Sequence, residues 1–146
     1  MNKYSLSDKI LSIKPNDAQI NANFGTITVG GEGSYLDSFS VNPSENLFST
    51  QGFSTGAWVH SKNLSRIGTC EISLSQISEQ VRKFIMLCET YYSGEYEGFT
   101  LTLSTNDGKR ICTCIDCYIQ KIPSQNFQSS AQTQTWSFTC GKITFE

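Results

Sequence analysis

Apolar residues alternate with polar ones in several short runs of this chain: Phe24, Ile27 and Val29 near "FGTITV", Tyr35, Phe39 and Val41 in "YLDSFSV", and Cys70, Ile72 and Leu74 in "IGTCEISLS". A period of two puts successive side chains on opposite faces of an extended strand, so each run predicts a strand with one buried face. "FTLTLS" alternates through Phe99, Leu101 and Leu103. "TNDGK" supplies a tight turn at Asp107 and Gly108, and "RICTCIDCYIQKI" returns as the partner strand of a hairpin. The closing "TWSFTCGKITF" alternates Trp136, Phe138 and Cys140, then changes phase at Gly141. A glycine bulge there returns Ile143 and Phe145 to the apolar face.

One segment has the helical period instead. In "ISEQVRKFIMLCETYY" the apolar positions are Ile77, Val81, Phe84, Ile85, Cys88 and Tyr91 or Tyr92. That spacing predicts an amphipathic helix, with serine N-caps before it and Gly94 where a C-terminal cap belongs. The stretch "NPSENLFSTQGFSTGAWVHSKN" fits neither period. Pro43, Gly52 and Gly56 punctuate it while Leu47, Phe48, Phe53 and Trp58 keep it apolar. It predicts an extended hairpin or arm, and apolar residues on an arm need a partner surface. The elements add up to about seven to nine strands with one helix inserted. The expected fold is mainly β: a β-sandwich or barrel with one flanking α-helix and a long protruding hairpin, in one domain over residues 1–146.

Composition narrows the function. At 146 residues the chain can bury a real core and needs neither zinc nor disulfides to fold. With 11 basic and 13 acidic residues, and Lys and Arg nowhere concentrated, it lacks the electrostatic footprint of a nucleic-acid binder. The start "MNKYSLSDKILSIKPNDAQ" lacks the apolar core of a secretory signal, and no run approaches a membrane span, so no membrane anchoring is expected and the chain is expected to be made and kept in the cytoplasm, or released by lysis. In that reducing compartment the six cysteines are expected as buried thiols.

Candidate chemistry is thin. Cys114 and Cys117 form one Cys-x-x-Cys pair with no second pair to complete a zinc tetrahedron. In a regular strand Cys112 and Cys114 share a face and Cys117 takes the other, which argues against convergence on a metal. A redox role would want the pair at a helix N-terminus. His60 is the single histidine, with no nucleophile motif beside it. Glu95 and Glu97 share strand parity but read as solvated loop. "GGEGSY" reads as a turn rather than a phosphate cradle, because it opens no helix. No catalytic, cofactor or metal residues are expected, and no enzyme.

Four segments in order, "YSLSDKILSI", "GEGSYLDSFSV", "GAWVHSKNLSRIGTCEISLSQIS" and "QNFQSSAQTQTWSFTCGKITF", make the chain resemble the small tail tube proteins of contractile-tailed bacteriophages. The resemblance implies a structural subunit of hexameric rings that stack into a hollow conduit for DNA ejection. It implies a tail tube in the virion, assembled in the host cytoplasm. The implied partners are copies of itself, the tail sheath protein, the tape measure protein and baseplate proteins, with genomic DNA passing the lumen without specific binding. The hairpin, about Asn46 to Lys62, would reach the adjacent ring through Leu47, Phe48, Phe53 and Trp58. Alternatives are a tube initiator, terminator or baseplate ring of the same fold, and a small Cys-dependent binding module.

Overall fold

The computed structural model describes residues 5–16, 25–94 and 97–146, so Phe24 and Glu95 lie outside the described residues. A 3-10 turn, Leu6–Asp8, leads into β1 (Lys9–Pro15), β2 (Ile27–Gly30), β3 (Leu36–Pro43), β4 (Phe48–Gly52), β5 (Trp58–Lys62) and β6 (Gly68–Ser75). The helix α1 (Glu79–Ser93) follows, then β7 (Phe99–Thr105), β8 (Arg110–Ile119) and β9 (Thr133–Phe145). Among the described residues, seven strands form one antiparallel sheet in the order β2-β1-β7-β8-β9-β6-β3, while β4 and β5 pair only with each other. The mainly β expectation holds, with one flanking helix and a protruding hairpin. Of sandwich or barrel, the described residues take the barrel side: the sheet curls into a half-barrel.

The alternating residues supply its buried face. Leu11 and Ile13 from β1, Ile72 and Leu74 from β6, and Trp136 and Phe138 from β9 are all buried. α1 lies across them, capped by Ser78, whose Oγ accepts from the Gln80 amide. Phe84 reaches the sheet, with ring centroids 5.4 Å from Trp136 and 5.8 Å from Phe138. Val81, Phe84, Leu87 and Cys88 are its buried residues. Ile77, expected on that stripe, precedes the helix and is exposed, as is Tyr92. Gly94 does follow the last turn, but in extended backbone at φ −171°, so the end needs no left-handed cap.

Two departures from simple alternation and one close strand approach shape the sheet. In β3 an irregularity between Leu36 and Ser38 moves the parity by one, so Leu36 packs on the core and Tyr35 points out. At β6, Gly68 passes so close to β3 that a Cβ would sit 2.6 Å from the Asn42 carbonyl oxygen and collide with Ile143. The third crosses two strands. In β9, Gly141 and Lys142 are both exposed between buried Cys140 and Ile143; in β8, Ile115 and Asp116 are both exposed between buried Cys114 and Cys117. Cys114 pairs with Ile143 and Cys117 with Cys140, so the two phase breaks lie side by side. Asp116 takes a left-handed backbone, φ 58°, to make the break on its strand. The glycine bulge thus returns Ile143 to the core, but Phe145 stays exposed.

Candidate assembly surfaces

The hairpin of β4 and β5 stands apart from the curled sheet. Its register pairs Phe48 with Lys62, Thr50 with His60 and Gly52 with Trp58. Beyond the strands, the Asn63 amide donates to the Leu47 carbonyl at 2.8 Å. At the tip, the Phe53 amide donates to Ala57 and the Gly56 amide to Phe53. Every residue of both strands is exposed.

Register decides which arm residues act together. Phe48 and Trp58 share one face with Thr50, His60 and Lys62. Val59 lies on the other face with Ser49, Gln51 and Ser61, and continuing the alternation puts Leu47 and Phe53 there too. The four expected contact residues are therefore all on the arm and all exposed, Leu47 at 74% and Trp58 at 70%, but they divide between its two faces. An arm that is apolar on both sides cannot satisfy itself by folding onto one surface.

Other exposed apolar residues carried less signal. Leu47, Leu64 and Phe145 line a recess at the base of the arm, and Phe127 stands exposed in the polar connection before β9. Leu64 and Phe127 sit alone among polar residues, so neither period marks them. Among the described residues, the outer strands β2 and β3 leave the sheet with two unpaired edges, each a template for another chain. The face turned away from α1 is rich in hydroxyls, with the Ser73 and Thr135 oxygens 2.9 Å apart and Gln120 donating to Thr139.

His60 meets Thr50 across the arm, Nδ1 to Oγ1 2.7 Å, with no thiol or carboxylate in that contact. Glu97 is exposed. The cysteines differ from expectation. Because β8 breaks phase at Asp116, Cys117 returns to the inner face and joins Cys112 and Cys114, so strand parity does not separate them. All six cysteines are buried free thiols. Cys88 lies on α1, where burial pushes its thiol up to about 11, with Glu89 adding to the shift. Among the described residues no helix is long and apolar enough to cross a membrane.

The fold is similar to solved components of contractile injection systems. A sheath/tube terminator of the extracellular contractile injection system PVC, in its extended state, matches at 12% identity and TM-score 0.62, over 100% of this chain and 98% of its own. The sheath-tube complex of that system matches at 11% and 0.59, over 99% and 91%. The tube-terminating cap of the anti-feeding prophage matches at 11% and 0.58, over 100% and 93%. No curated protein matches the sequence. Residues 3–146 match the profile of the bacteriophage PhiTE tail tube protein. The chain therefore belongs to the bacteriophage PhiTE tail tube protein family, and its role is structural and tube-related rather than enzymatic.

Proposed function

We propose that this protein is the repeating subunit of a tail tube, one tail-tube-like domain over residues 1–146, forming hexameric rings that stack into a hollow conduit for DNA ejection. The observation that carries the reading is the hairpin of β4 and β5, which among the described residues pairs only with itself and is apolar on both faces. Such an arm is complete only when clasped between other subunits, and Leu47, Phe48, Phe53 and Trp58 are the contacts it offers to the adjacent ring. The bare edges of β2 and β3 support lateral joining, since a closed ring of sheets removes every edge. The hydroxyl-rich face opposite α1 then lines the lumen. Passage of DNA asks for a surface that does not grip phosphate, and this face lacks a basic stripe.

The partners of that assembly are copies of the chain, the sheath protein, the tape measure protein and baseplate proteins, brought together in the host cytoplasm and carried in the virion tail. Purified protein is expected to form stacked-ring tubes in negative-stain micrographs as concentration rises. A chain that stays monomeric throughout sinks the proposal. The likeness to two tube terminators favours one second reading, a capping or initiating ring of the same fold. Single rings that never polymerise identify that role.

A further inference from the structure

Five of the six cysteines meet in the core, and the meeting has the form of a metal site. The Sγ atoms of Cys70, Cys114 and Cys140 all lie within 4.8 Å of one another. They come from three different strands: Cys70 on β6, Cys114 on β8 and Cys140 on β9. Sulfur–sulfur distances are 3.5 Å from Cys70 to Cys114 and 3.4 Å from Cys70 to Cys140. Cys117 adds a fourth sulfur 3.2 Å from Cys140, and Cys112 a fifth 3.8 Å from Cys114. A zinc–sulfur bond of about 2.3 Å puts the thiolates of a tetrahedron about 3.8 Å apart, and the sulfurs of Cys70, Cys114 and Cys140 are already near that scale, with Cys117 beside Cys140.

One further observation separates this cluster from thiols that merely fill space. The left-handed backbone of Asp116 turns Cys117 inward; in a regular strand it would face out.

We propose that Cys70, Cys114 and Cys140 bind one thiophilic d10 cation, zinc(II) or copper(I), with Cys117 drawn in from beside Cys140 as the fourth ligand. All-sulfur donors select this class over magnesium or calcium. Binding replaces thiol protons with the ion, and the protons leave to solvent. Because the sulfurs are fully buried, the ion enters during folding and then staples β6, β8 and β9 together where the pleat breaks. The proposal does not depend on tube assembly.

The test uses the full chain, expressed in medium containing both metals and purified without chelator. Elemental analysis is expected to find about one ion per chain, and a mercurial to release it to a zinc- or a copper(I)-specific dye, which tells the two apart. Cys114→Ala is expected to lower the content at least about tenfold, and Cys88→Ala, remote on α1, to leave it unchanged. Should Cys114→Ala fail to fold, wild-type protein refolded anaerobically with cobalt(II) provides the second reading, as a thiolate-to-cobalt charge-transfer band. Wild-type protein without metal and without that band overturns the proposal. Thiol titration in denaturant then identifies the alternative: two thiols missing mark a cross-strand Cys117–Cys140 disulfide, and a full count marks packed thiols alone.

Discussion

Replacing Trp58 with alanine should separate assembly from folding. Trp58 pairs across the arm with Gly52, which has no side chain to cover it, and it is 70% exposed. A tryptophan carries about 200 Å² of surface, so roughly 140 Å² waits to be covered by a neighbour. At about 25 cal/mol per Å² that is an upper bound near 3.5 kcal/mol, and the alanine methyl and imperfect covering reduce it to about 2 kcal/mol. The expected consequence is a rise of about 30-fold in the critical concentration for tube growth, read by pelleting or light scattering across a dilution series. The isolated subunit should unfold in denaturant within about 0.5 kcal/mol of wild type, because an exposed side chain contributes little to the fold. A folded variant whose critical concentration stays within about twofold of wild type would refute the arm as an inter-ring contact.

Other substitutions test the sheet. Gly68→Ala should destabilise by about 1–3 kcal/mol in chemical denaturation, since its Cβ meets Ile143 and the Asn42 carbonyl; unchanged stability would mean that β3 and β6 are farther apart. Trp136→Ala, under α1 and fully buried, should cost about 3–5 kcal/mol and abolish tubes by loss of fold, visible as a lowered denaturation midpoint. Stability should also fall at alkaline pH. Burial raises Cys88 to about 11 and Tyr91 to about 12, so the unfolded chain loses these protons first. The contribution is fully present below about pH 9 and disappears as pH rises through 11 and 12, by about 2–3 kcal/mol for Cys88. Cys88→Ala should remove the lower part of that decline in a pH series of denaturant melts.

Alternation carried most of the fold because a sheet with one buried face writes its register into the sequence. β6 and the first half of β9 show it residue by residue, and Phe99 and Leu101 do so on β7. The arm was legible by the opposite sign, apolar residues among glycines that no core strand would tolerate. The cysteine cluster was not. Gly141 advertised a phase break on β9, but its partner β8 makes the same break at an aspartate, a residue that tolerates left-handed backbone without announcing it. Regular alternation along β8 alone puts Cys117 on the outer face; only the pairing of Cys117 with Cys140 joins the two breaks. Tyr35 was misplaced for the same reason, an extra residue in β3 at Asp37. The lone surface residues Leu64 and Phe127 have no periodicity to betray them.

The paired break also bears on how this sequence can drift. A Cβ at Gly141 would lie 3.4 Å from the Asp116 Cβ, so the two positions share one small volume as well as one irregularity. A bulky residue at 141, or a β-branched one at 116 that resists positive φ, would restore regular pleating on one strand while its neighbour stayed broken. Ile143 on β9, or Cys117 on β8, would then face solvent. Substitutions at 116 and 141 should therefore be tolerated together rather than singly, and in an alignment of close relatives these two columns should covary more strongly than either does with its own neighbours in sequence.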